Sequence, residues 1–290
     1  VLQAFTAERY NLRSDIWPRA GIMQNLYDQA KQCLTLAAPA DKVAFTAEAA
    51  GLWNAGQLIW TEGEPPELLN DPGRLDKPAV VMPRDLPKRK PKSEEGRAAL
   101  IHSLAHIELT AINLAWDTIY RYRDMPKEYY DDWVKCANEE AGHFILLRDR
   151  LREMGYDYGS FPVHNELWKM AVTTADDLMD RMGIVHRAFE ARALDVVPKT
   201  LQRFEHLNDR TMVKALTIIC NDEVGHVSSG TRWFHYRCAQ RQLDPDTTFF
   251  MLLEKYMKKP LSGPFNHDVR LQSGFSENEL RYLEENAKQR

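Results

Sequence analysis

Several features are scarce in this chain of 290 residues. Cysteine occurs four times, at Cys33, Cys136, Cys220 and Cys238, with no Cys-x-x-Cys spacing. That argues against a zinc ribbon and a small disulfide-stapled secreted fold, and favours a reducing compartment. No uninterrupted apolar run approaches the roughly 18 to 20 residues that cross a bilayer as a helix, so a water-soluble chain with no membrane span is expected. Neither sign of charge dominates: 38 basic against 42 acidic residues leave a net charge of −4. A surface built as a whole for polyphosphate is therefore not indicated, and nucleic-acid contact would need a local basic patch. The chain opens at Val1 without a charged-then-apolar signal pattern. A cytoplasmic location is the default expectation, although a removed organellar leader would leave no trace. What is present is 44% apolar, 28% charged and 10% aromatic residues, the profile of a globular core, which excludes disorder and collagen.

Convincing strand patterns are also missing, and the pattern along the chain is helical. Residues 1–64 read as an irregular lead followed by helical periodicity over Pro18 to Leu36 and Ala40 to Asn54. Residues 65–92 hold seven of the fifteen prolines and end in Lys88-Arg89-Lys90-Pro91-Lys92. Proline removes backbone donors and disfavours helix at the preceding residue, so this segment is expected to be an extended basic linker. Residues 93–290 are helical almost throughout. Ser93 with Glu94 and Glu95 is a candidate N-cap with acids in the first turn, opening a helix to about Arg121. A second runs from about Lys127 to Met154, with Gly155 just past its end. Two more are expected at Thr174 to about Val197, stopped by Pro198, and at Arg210 to about Gln240. Shorter tail helices are expected at Thr247 to Lys258 and after the capping box Ser276-Glu277-Asn278-Glu279. Two helix pairs joined by a longer crossover, Tyr156 to Thr173, make an all-α plan like that of ferritin-like four-helix bundles, with accessory helices at both ends.

The chemistry is carried by a repeated motif. Glu140-Ala141-Gly142-His143 and Glu223-Val224-Gly225-His226 share Glu-x-Gly-His, and residues three apart on a helix project from one face. Composition alone supplies about 0.7 Glu-x-x-His pairs by chance, so the spacing carries little by itself. Its context adds more: Glu108 precedes the first motif by 32 residues and Glu190 precedes the second by 33. Glu108 lies 13 residues before the expected end of one helix and Glu140 lies 13 after the expected start of the next, so an antiparallel hairpin levels them. Both lone acids sit on apolar stripes, Leu104, Ala105, Ile112 and Ala115 around Glu108, and Met182, Leu194 and Val197 around Glu190. Buried carboxylates must be paired or bind metal. Two divalent ions would neutralise Glu108, Glu140, Glu190 and Glu223, with His143 and His226 as neutral ligands; the alternative is ion pairing with Arg187, Arg192 or Lys135. Oxygen-rich ligation favours iron or manganese over zinc or copper.

Asp222 and Glu139 directly precede the two motif acids, and a ligating imidazole usually donates its other N–H to a carboxylate or carbonyl. Asp222 is therefore expected to support His143, and Glu139 to support His226. His186, one turn before Glu190, is a possible additional ligand or proton donor. His102 and His106 are expected outside the ligand set, and Cys136 and Cys220 as buried small apolar residues. Tyr120, Tyr122, Tyr129 and Tyr130 gather near the first hairpin turn, roughly 20 Å from the ligand level, so a tyrosyl radical beside the metals is not expected.

From Glu94 to Glu284 the chain resembles the ferritin-like superfamily, and specifically an uncharacterised branch carried as a domain of unknown function. The strings behind this are Gly96-Arg97-Ala98-Ala99-Leu100-Ile101-His102, His106-Ile107-Glu108, Phe189-Glu190-Ala191-Arg192-Ala193-Leu194-Asp195, Asn221-Asp222-Glu223-Val224-Gly225-His226 and Gly263-Pro264-Phe265-Asn266. The resemblance implies that Glu140 and Glu223 bridge two metals, with Glu108 and His143 completing one and Glu190 and His226 the other. It also implies O₂ or peroxide activation at two irons, or iron with manganese, an external electron donor, and an oxidoreductase acting on an unidentified substrate. Competing expectations are a ferroxidase or peroxide scavenger, a metal-stabilised assembly module, and a tRNA hydroxylase contacting RNA through residues 88–92. A homo-oligomer is compatible with each. The fold does not choose among these activities.

Overall fold

The computed structural model describes residues 24–288 apart from 62–63, 68 and 90–92. The expected helical start at Pro18, the first part of the lead, and Lys90, Pro91 and Lys92 of the basic run lie outside the described residues. The described residues are mostly helical, with one two-residue parallel strand pair, β1 (Gln24–Asn25) and β2 (Leu58–Ile59). The chain divides into two compact units, Val1–Asn165 and Glu166–Arg290. The division falls in the crossover, inside the 93–290 segment expected from composition.

In the first unit, α1 (Leu26–Thr35) and α2 (Pro39–Asn54) pack on a hairpin of α3 (Glu94–Arg121) and α4 (Lys127–Glu153), α1 against α3 and α2 against α4. Ser93 caps α3 by accepting from the Gly96 N–H, and Gly155, at φ +80°, closes α4 where a side chain would be strained. α3 is long and apolar enough to cross a membrane by composition. About 67% of that apolar window is buried inside the protein, where it forms core. The described part of the proline-rich segment has a short 3₁₀ turn at Pro83–Asp85 and is tied to the rest of the unit at two interior points, Gly73 and Val80. Gly73 donates to the Leu34 carbonyl at 2.7 Å, so close to the end of α1 that a Cβ would meet the Thr35 carbonyl at 2.0 Å. Further on, Val80 bridges to Val163.

The second unit holds α5 (Glu166–Thr173), α6 (Leu178–Gly183), a π-helical segment Ile184–Phe189, α7 (Ala191–His206), α8 (Arg210–Gln240), α9 (Pro245–Tyr256), α10 (His267–Gln272) and α11 (Glu277–Ala287). The expected stop at Pro198 is not a stop: α7 runs through it to His206. Proline removes the bond that would reach the carbonyl four residues back, that of Leu194. The Asn266 side-chain amide donates to that carbonyl at 3.3 Å, which makes the interruption tolerable. The capping box at Ser276 forms as expected.

Two buried clusters brace the helix that carries Glu190. Arg187 and Glu279, 0% and 1% exposed, form a two-point ion pair, with the guanidinium against the rings of Phe234, Phe249 and Phe275. One helix onward, Asp195 takes both Arg270 (2.7 Å) and the Asn266 backbone N–H (2.9 Å). The Phe189-to-Asp195 and Gly263-to-Asn266 strings therefore meet in space.

Candidate metal centre

Each unit brings together one lone glutamate and one Glu-x-x-His motif. In the first, α3 supplies Glu108 and α4 supplies Glu140 and His143, all buried, with one ligand atom of each within 4.8 Å of the others. The His143 Nδ1 lies 3.4 Å from a Glu108 oxygen and 3.3 Å from a Glu140 oxygen. The hairpin levels Glu108 with Glu140, as the residue count from the turn anticipates. Burial, then the negative charge of Glu140, push the Glu108 carboxyl up to about 8, opposed by its contact with His143. Two acids this close in a dry core repel unless a proton or a cation joins them.

In the second unit, Glu190 follows the π-helical segment, and α8 supplies Glu223 and His226. Their ligand atoms also lie within 4.8 Å of one another, with the His226 Nδ1 3.9 Å from Glu223. The π segment is what sets Glu190: the Glu190 N–H bonds to the Val185 carbonyl five residues back, which resets its face relative to α6. The segment lies hard against α8. A Cβ on Gly230, one turn past His226, would meet the His186 carbonyl at 2.2 Å.

The remaining expected residues divide. Glu139 pairs with Lys135 at 2.8 Å, and Asp222 is half-buried beside Glu223 on α8. His186 is buried on the π segment and joins neither cluster among the described residues. Arg187 is committed to Glu279 and Lys135 to Glu139, while Arg192 bonds to Asp195. His102 and His106 serve the crossover. The Gly159 N–H donates to His102 Nε2 at 2.9 Å, His106 meets the Tyr158 hydroxyl at 2.8 Å, and both rings stack on Tyr158. Burial holds both imidazoles down near 4. Of the two cysteines placed a turn before the motif acids, Cys136 is buried as expected. Cys220 is only half-buried, a correction, because α8 turns that position toward its edge. Cys136 is also more than filler, since its Sγ comes within 4.8 Å of a Glu140 carboxylate oxygen. Its place four residues before Glu140 was the available signal.

The basic run is less free than a solvated linker would be. Arg89 pairs with Glu95 at 3.3 Å and stacks over Phe161 at 4.7 Å, while Lys88 is exposed.

The donor set of each cluster, two carboxylates and an imidazole, is one that hard or borderline divalent metals take. The raised carboxyl of Glu108 is what a metal-binding acid pair does when a proton replaces the cation.

Residues 35–281 match the family described as "Protein of unknown function (DUF455)". An uncharacterised protein of Haemophilus influenzae is 41% identical over 217 residues, covering 72% of this chain and 75% of that one. No solved structure matches.

Proposed function

We propose for this chain, which belongs to the DUF455 family of proteins of unknown function, that its two clusters together hold a dinuclear iron or iron–manganese centre in a ferritin-like four-helix bundle. In this reading α3, α4, the continuous α6–α7 helix and α8 are the bundle, and the protein is an oxidoreductase acting on an unidentified organic substrate with an external electron donor. The observation that carries the reading is the duplicated cluster: each unit gathers one glutamate from one helix with Glu-x-x-His from the next, within 4.8 Å. One such cluster offers a single divalent ion only three protein ligands. Two clusters supply four carboxylates for two divalent ions, the pattern of di-iron and di-manganese carboxylate bundles.

Bound iron would supply the redox chemistry toward O₂ or peroxide. The chain's own part is geometric and electrostatic. Glu108 would hold a metal as the carboxylate, giving up the proton that burial and Glu140 favour, so metal uptake would release protons. His143 and His226 bind as neutral imidazoles, and Asp222 and Glu139 are the candidates to fix their ring orientation. The buried walls around Glu140 and His143 keep water from the reacting atoms.

The test is anaerobic loading with ferrous iron followed by O₂ or peroxide, read by Mössbauer and absorption spectroscopy and by oxidant consumption in the presence of a reductant. A coupled pair of irons that consumes oxidant supports the reading. Binding of iron without any oxidant consumption contradicts the oxidoreductase assignment.

A further inference from the structure

A row of oxidisable side chains leads away from the first cluster. On α4, Cys136 lies one turn and Trp133 two turns before Glu140, on the same face, so Trp133 sits roughly 10 Å along the axis from the carboxylate. From Trp133 the ring centroids step 6.3 Å to Tyr129, 5.3 Å to Tyr130 and 6.3 Å to Trp53, then 5.2 Å to Trp60, with Tyr27 branching 5.8 Å from Tyr130. Trp133, Tyr129 and Tyr130 are fully buried, Tyr27 and Trp53 are nearly so, and Trp60 is half-buried at the end.

Packing alone does not call for this composition. Phenylalanine would bury similar area without needing a partner for each hydroxyl or indole N–H. The core of the second unit packs Arg187 with Phe234, Phe249 and Phe275. Here every ring is Tyr or Trp, and the tyrosine hydroxyls and the Trp53 indole N–H each have a partner. Tyr129 donates to the Thr118 carbonyl at 3.2 Å, Tyr27 and Tyr130 share a 2.9 Å hydroxyl contact, and the Trp53 Nε1–H donates to Asp131 at 2.8 Å. Of these acceptors only Asp131 can take a proton. The Lys127 ammonium, 4.9 Å over the Trp53 ring, opposes a cationic indole, so loss of an electron there goes with transfer of the proton to Asp131.

We propose that this row is a relay for single oxidising equivalents between the Glu108–Glu140–His143 cluster and the protein surface, with Trp53 as its resting place. The proposal rests on the metal reading for its oxidant, an oxidised iron centre produced by O₂ or peroxide. One electron leaves Trp133 for that centre and is replaced from Trp53, whose indole proton passes to Asp131, while Tyr129 and Tyr130 lie between the two indoles and pass the electron without being left oxidised or losing a proton. A soluble one-electron donor of the thiol or ascorbate class returns the electron at Trp60, and Asp131 returns the proton. The net change is one electron from donor to centre. The relay explains how a cluster closed inside the core exchanges electrons with a reductant it does not touch, and it gives misfired oxidising equivalents a route away from the ligands.

Two experiments test it. In metal-free full-length protein, a photo-oxidised ruthenium polypyridyl complex in solution withdraws an electron at the surface. Transient absorption is expected to show an indolyl radical in wild type, with oxidation of Cys136 in mass-spectrometric maps disappearing in both Trp53→Phe and Trp133→Phe. Surface radicals with no transfer inward would overturn the relay without bearing on the metals. In iron-loaded protein mixed with peroxide, freeze-quench electron paramagnetic resonance is expected to show a tryptophan radical that Trp133→Phe abolishes, with more oxidised His143 and Cys136 in that variant. Trp60→Phe, at a half-buried position that tolerates the change, is expected to prolong the radical in the presence of ascorbate. An unchanged radical and unchanged damage in both variants, with iron bound, would overturn the proposal. Failure to bind iron would overturn the metal reading instead.

Discussion

Replacing Glu279 by Gln removes one charge from the buried pair behind Glu190 while keeping the side chain's size. Arg187 and Glu279 are 0% and 1% exposed and joined by two bonds of 2.6 and 2.5 Å, so the substitution leaves a guanidinium in the core facing a neutral amide. Breaking a buried pair from one side costs about 3–5 kcal/mol. Three aromatic rings 4.3 to 5.2 Å from the guanidinium and the Thr231 hydroxyl at 3.2 Å stay around it in both forms and ease the loss toward the low end of that range. The expected net loss is about 3 kcal/mol, a large share of the roughly 5–15 kcal/mol of a typical domain. Urea unfolding reads it as a lower midpoint at unchanged slope. Because Arg187 lies in the π segment three residues before Glu190, iron affinity is expected to fall as well. Replacing both partners, Arg187→Met with Glu279→Leu, is expected to restore most of the stability, since a buried pair is often matched by apolar residues of similar volume. An unchanged midpoint in Glu279→Gln, or a double variant as unstable as the sum of its singles, would refute the reasoning.

Metal-free Glu108→Gln is expected to be more stable than wild type near neutral pH, by at most about 3 kcal/mol, because the amide escapes the cost that holds the Glu108 proton. Thermal melting with and without iron checks this, with iron binding lost in the variant. His102 is held near 4 against 6.5, so the unfolded chain binds more protons between those values, and stability is fully present above pH 6.5 and falls as pH drops toward 4. The ceiling is about 3 kcal/mol, and His102→Gln is expected to flatten the urea midpoint against pH over that window. Asn266→Ala is expected to cost about 1 kcal/mol in wild type, by leaving the Leu194 carbonyl unserved, and less in Pro198→Ala, where the helix can serve it; a double-mutant cycle measures the difference.

Much of the helical plan was legible because it depends on local rules. Ser93, Gly155 and Ser276 mark their helix ends through capping and left-handed backbone, and the boundaries of α3, α4 and α8 follow within a residue or so. Glu108, Glu140 and His143 could be aligned by counting from one turn, since both helices are regular between the turn and the acids. The second cluster was harder to place because two local rules give way to distant contacts. Pro198 is accommodated by Asn266, 68 residues later, and the π segment before Glu190 is held by α8 and by Glu279. Nothing within a turn of Glu190 announces either. The aromatic row was hidden for the same reason: Tyr27, Trp53 and Trp60 lie far along the chain from Trp133, and only the packing of α1 and α2 on the hairpin brings them to it.

The central claim is that the two clusters make one centre, and metal counting across paired variants tests it most directly. Elemental analysis after anaerobic iron loading and desalting is expected to give two irons per wild-type chain. Stripping either cluster, by Glu140→Ala with His143→Ala or by Glu223→Ala with His226→Ala, is expected to lose both ions in chains whose circular dichroism is unchanged. One iron surviving in each stripped variant would mean two independent sites, and no iron in the wild type would mean none.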